Sequence, residues 1–74
     1  MKLQEFLSLI QDEEVRIELE IDYEDKDEYV YEHFWLSDYR SDLDTAKYRD
    51  DYTVICISFM PEDRSAEITI QIKP

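Results

Sequence analysis

Carboxylates are the residues of this chain best placed to do chemistry. Glu18, Glu20, Asp22 and Glu24 fall at every second position. On a strand that spacing puts all four on one face, about 6.6 Å apart. The last two open a denser run, Asp22-Tyr23-Glu24-Asp25-Lys26-Asp27-Glu28. Such groups bind cations, accept charge-assisted hydrogen bonds from Arg or Lys, or work in pairs as acid and base. Calcium is disfavoured, because an EF-hand type of loop needs a Gly at its sharp turn. The chain has no Gly, and Lys26 interrupts the run. Zinc is disfavoured because the one His, His33, and the one Cys, Cys56, stand 23 positions apart. No metal or cofactor is expected. Any Ser-His-Asp or Cys-His arrangement would have to be built around that single imidazole. The carboxylates are so many that no pair is singled out for acid–base work. With little volume for a deep pocket, the chain is not expected to be an enzyme.

What the carboxylates do offer is a field. The chain carries 20 acidic and 8 basic residues, a net charge of −12. Residues 12–51 hold sixteen of the acids and five of the bases, a net −11. Such a field repels nucleic acid and anionic membranes and attracts basic partners. A DNA strand carries one phosphate per roughly 3.4 Å of axis, so one row of strand carboxylates is sparser than DNA. Duplex-like density requires neighbouring elements to add Asp25, Asp27, Glu28, Glu32, Asp38, Asp42, Asp44, Asp50 and Asp51. The plainer reading is a solvated face that keeps the protein soluble. Against it stands the self-repulsion of a one-sided field in so small a domain.

Aromatic residues follow the acidic row. If Val30, Phe34 and Leu36 face the core, Tyr29, Tyr31, His33 and Trp35 face outward beside the carboxylates, a composition suited to a protein-binding hot spot. The opposite register puts Tyr31 and Trp35 inside. Glu32 shares a face with Val30 and Phe34, so both registers stay open. The candidate partner-binding residues are Glu18, Glu20, Asp22, Glu24, Asp25, Asp27, Glu28, Tyr29, Tyr31, Glu32, Trp35, Asp38, Tyr39, Asp42 and Asp44.

The elements that must position these groups are legible from periodicity. Leu3, Phe6, Leu7 and Ile10 fall on one face of a short helix, Lys2 to Gln11. Val15, Ile17, Leu19, Ile21 and Tyr23 alternate with Arg16, Glu18, Glu20, Asp22 and Glu24, giving a strand with one face on a core and one in water. A charged turn at 24–28 leads to a second strand, Tyr29 to Leu36. Residues 37–51 are polar, with a short second helix at 41–49 or a long loop as the two readings. Tyr52 to Met60 is apolar on both faces, which predicts a central strand. Pro61-Glu62-Asp63-Arg64 reads as a turn, and Ala66, Ile68, Ile70 and Ile72 mark a last strand. The fold class is α+β, with an N-terminal helix packed on a four-stranded antiparallel sheet made of two hairpins.

The 74 residues make one domain, 1–74. Their 43% hydrophobic and 14% aromatic content is too high for a disordered acidic tail. Cys56, inside Val54-Ile55-Cys56-Ile57, is expected to be a small buried hydrophobe. One unpaired thiol fits a reducing compartment. Residues 3–10 are too short for a secretory leader and are interrupted by Glu5. A cytoplasmic protein of a bacterial host, monomer or homodimer, is expected.

In length, in the opening Met1-Lys2-Leu3-Gln4-Glu5-Phe6-Leu7 and in the dense Asp/Glu/Tyr middle, the chain resembles the small acidic phage-encoded inhibitors of host nucleases. Among these are anti-CRISPR proteins that act as DNA mimics. The resemblance covers the whole chain in style and carries no diagnostic motif. It implies an acidic face that occupies the motif-reading site of an RNA-guided nuclease, where Arg pairs normally grip guanines. Two alternatives share the composition. One is an immunity or antitoxin-like protein that neutralises a basic toxin. The other is an adaptor module that dimerises through a sheet edge, for which the Ala66–Ile72 strand is the candidate. Adaptation to high salt is a further, blander reading.

Overall fold

The computed structural model describes residues 1–41, 43, 47–60 (Met60 by its backbone alone) and 67–74. The chain runs through helix α1 (Leu3–Ser8), strands β1 (Arg16–Ile21) and β2 (Val30–Trp35) and helix α2 (Leu36–Arg40). A 3-10 turn (Lys47–Asp51) and strands β3 (Thr53–Met60) and β4 (Glu67–Lys73) follow. Among the described residues, no helix is long and apolar enough to cross a membrane.

The two strictly alternating strands, β1 and β4, lie at the centre of the sheet. The strand order is β2-β1-β4-β3. Both expected antiparallel pairs form, β1 with β2 and β3 with β4. They join through β1 and β4, which run parallel, so the sheet is mixed and not antiparallel throughout. In that register Ile17 lies opposite Ile68, Leu19 opposite Ile70 and Ile21 opposite Ile72, and all six are buried. These two strands present one apolar face each, and α1 roofs it with Leu3 and Leu7. Leu36 closes the same layer from the first position of α2.

A second correction concerns β3. Its apolar content on both faces predicts a central strand, yet it lies at an edge. Ile55, Ile57 and Phe59 are 49%, 36% and 68% exposed. Cys56 is exposed as well, not buried. The reason is that α1 is only six residues long, and the residues leading into it meet β3 at the strand's start, where Lys2 bridges to Thr53 and the Val54 N–H bonds to Met1 O. The Ala66–Ile72 strand, the candidate for a dimerising edge, is the central β4, with Ala66 outside the described residues.

Local chemistry sets the helix ends. The Lys2 backbone N–H donates to the Glu5 carboxylate at 3.2 Å, a link of the kind that closes the first turn of a helix. Arg40 of α2 donates from its guanidinium to the Leu7 carbonyl at 3.0 Å and also to the Ile10 carbonyl. It thereby satisfies the end of α1 from a distant element. The second helix comes at 36–40, earlier than expected, because Leu36 N–H and Ser37 N–H bond back to Val15 O and Glu13 O. Of the expected 41–49 helix, residues 42 and 44–46 lie outside the described residues, as does the 61–64 turn.

Candidate functional site

All the buried side chains of the sheet point to the helix side, so the opposite face is open. The pairing of β1 with β2 settles the aromatic register. Glu20 lies opposite Tyr31, Glu18 opposite His33 and Arg16 opposite Trp35. Val30 and Phe34 turn to the core. Tyr31 and Trp35 are 55% and 44% exposed. The outward register is therefore the one the chain adopts, and the carboxylates of β1 stand beside the aromatics of β2. Gln71 on β4 donates to Glu20 at 2.8 Å and holds that carboxylate in place.

The remaining candidates divide by location. Glu24, Asp25, Asp27 and Glu28 are exposed in the connection that leaves the sheet beyond Ile21, and Asp22 and exposed Tyr29 border it. Here a shallow cavity of ≈ 310 Å³ is lined by Tyr23, Glu24, Asp25, Lys73 and Pro74. Glu32 is elsewhere, on the helix side. It accepts from Arg49 at 2.8 Å and from the Tyr48 hydroxyl, so its carboxylate is engaged within the fold. Tyr39 packs on Phe34, with ring centroids 5.8 Å apart, and its hydroxyl donates to Asp50 at 2.8 Å. Asp38 belongs to the same helix, at the end of β2 remote from the acidic connection. Asp42 and Asp44 lie outside the described residues. Of the carboxylates needed for duplex-like density, the structure gathers those of β1 and of the 22–28 connection. It leaves Glu32, Asp38 and Asp50 in the helical layer.

The hydroxyls behind these groups are held neutral. The hydrogen bond to Glu32, then burial, raises the Tyr48 hydroxyl above its ordinary pKa. The bond between the Tyr23 and Tyr52 hydroxyls, then burial, raises Tyr23.

One grouping escaped the sequence. Glu18, His33 and Glu67 each place a ligand atom within 4.8 Å of the others. His33 Nδ1 is 3.9 Å from Glu18 Oε2. Partial burial, and then the hydrogen-bonded Glu67 carboxyl, hold Glu18 above the usual carboxylate range, while His33 pulls it the other way. Sequence reasoning missed Glu67 because 49 positions separate it from Glu18. Only the parallel pairing of β1 with β4 closes that gap. Outward alternation of Glu18 and His33 was the available signal.

No protein-family model, curated protein or solved structure matches the chain.

Proposed function

We propose that the domain is a protein-binding inhibitor that engages a basic, nucleic-acid-handling protein and blocks its access to DNA, with a CRISPR effector nuclease as the favoured target. One observation carries the reading. The open sheet face sets exposed Tyr31 opposite Glu20 and His33 opposite Glu18, with exposed Trp35 opposite Arg16 at the far end, and that face runs on into the carboxylates of 22–28. Aromatic side chains supply contact area at little entropic cost, and carboxylates offer Arg the bidentate acceptors it finds on phosphate and guanine. With Glu32 and Asp38 in the helical layer, the mimicry proposed is of a short stretch of nucleic acid, centred on Glu20, Asp22 and Glu24.

The test is binding to a guide-loaded nuclease across a salt series, with duplex DNA as competitor. Expected are displacement by DNA, a steep fall of affinity with salt, and loss of binding in the combined Glu20→Gln, Asp22→Asn, Glu24→Gln variant. Retention of affinity in that variant would sink the reading. Binding that ignores DNA but selects a small basic toxin would move it to the immunity-protein alternative.

The exposed edge of β3 favours a second reading, self-association. Met1 and Lys2 cover only its start, through Val54 N–H to Met1 O and a bridge between Lys2 and Thr53. Beyond that point the strand is uncharged and lacks the Lys or Pro that guards natural edges. It pairs antiparallel with its own copy in this reading. Sedimentation should then show a concentration-dependent dimer, and a monomer at high micromolar concentration excludes it.

A further inference from the structure

We propose that Glu18, His33 and Glu67 form a divalent transition-metal site on the open face of the sheet, of the class that takes Zn2+ through one imidazole and two carboxylates. The proposal does not rest on the partner reading above.

The three ligands come from three adjacent strands, β2, β1 and β4. Glu18 and His33 are directly opposed. Glu67 is opposite Arg16, two residues before Glu18 and on the same face. Two of the three strands are the buried centre of the sheet, so the backbone under the site is rigid. The ligand atoms lie within 4.8 Å of one another. A tetrahedral ion about 2.0–2.2 Å from each donor sets them about 3.4 Å apart, so they must close by up to about 1.4 Å. His33 is half exposed, with 44% of its side chain accessible, and Glu67 is half-buried. Both can make that adjustment by side-chain rotation.

Electrostatics points the same way. Two carboxylates with ligand atoms within 4.8 Å of each other face an imidazole across a partly buried surface. Arg16 stands opposite Glu67 in register, yet among the described residues it forms no ion pair with either carboxylate. The cluster is thus short of positive charge at its centre, which a divalent ion supplies. Imidazole selects a transition ion over Ca2+ and Mg2+, which prefer all-oxygen sets. Three protein ligands leave a fourth position for water or for a donor from a bound partner.

The experiment is titration of the full chain with Zn2+ at neutral pH by calorimetry. A Cys56→Ser background removes the exposed thiol as a competing ligand. Expected is one saturable site per chain, not displaced by excess Ca2+ or Mg2+. In His33→Ala and in Glu67→Gln the affinity should fall by at least the roughly tenfold that outer-sphere substitutions cost. An Asp25→Asn, Asp27→Asn control in the acidic connection should bind as the parent does. Both ligand positions are partly exposed, and circular dichroism verifies that each variant is folded. Absence of saturable binding overturns the proposal. So does affinity unchanged in His33→Ala, or affinity lost in the control, which would assign the ion to the 22–28 carboxylates.

Discussion

Arg49 shows how a residue's type and its role part company. It is 3% exposed, donates to Glu32 at 2.8 Å, and its guanidinium lies 4.7 Å from the Phe34 ring centroid. A charge inside a small core is tolerated when it is paired and bonded, and breaking such a pair costs about 3–5 kcal/mol. The Glu32 side chain retains 24% exposure, so the figure is an upper bound here. Arg49→Leu is expected to destabilise strongly in urea unfolding, while the Glu32→Leu, Arg49→Leu double variant recovers much of the loss. If the double variant is no better than the single, the packing of the guanidinium on Phe34 matters more than the charge. In the sequence Glu32 is one acid among many, and only a partner 17 positions on reveals its task. Tyr23 gives a residue-scale prediction for pH. Its hydroxyl titrates above the ordinary value of 10.0 in the folded chain, so the folded state keeps a proton that the unfolded state releases first. The stability it contributes is complete below pH 10 and is lost as pH rises through the folded pKa. Tyr23→Phe should flatten that alkaline loss in urea midpoints measured at pH 8 and above 10. An unchanged slope would show that the Tyr23–Tyr52 bond does not hold the proton.

At the scale of elements, amphipathic periodicity did most of the work. The i, i+3, i+4, i+7 spacing of Leu3, Phe6, Leu7 and Ile10 located α1, and alternation located β1 and β4. Which strand neighbours which was not written in the same signal. β3 looks central because it is apolar on both faces, and the Ala66–Ile72 strand is the candidate for a dimerising edge. The reverse holds, since a one-faced strand under a helix is satisfied at the centre of an open sheet. The strand apolar on both faces is left partly bare. Phe59 is the residue to change. At 68% exposure it tolerates Lys, and an added charge is how natural edges resist pairing. Phe59→Lys is expected to leave the fold intact and to abolish the β3-mediated dimer in sedimentation. A dimer that survives it uses another surface.

For the whole molecule, the net charge of −12 makes ionic strength a stability variable. Screening shortens the range of repulsion to about 8 Å at physiological salt. Raising salt from a few millimolar to physiological levels should stabilise the free domain by on the order of 1 kcal/mol, about 4–8 °C in Tm for a chain of this size. An unchanged Tm would mean that the charges are already dispersed enough not to interact. The structure gives that dispersion some substance, with Glu13 on Arg40, Glu32 on Arg49 and Asp51 on Lys2. By itself the sequence determined the α+β class, the position of most elements, the two antiparallel pairs and the concentration of acid in the middle, because periodicity and charge are local properties. The tertiary structure alone decided the parallel pairing of β1 with β4, the exposure of Cys56 and β3, the outward aromatic face, and the meeting of Glu18 and His33 with Glu67. Each of these depends on which distant segments bury one another most completely, and no window of neighbouring residues contains that information.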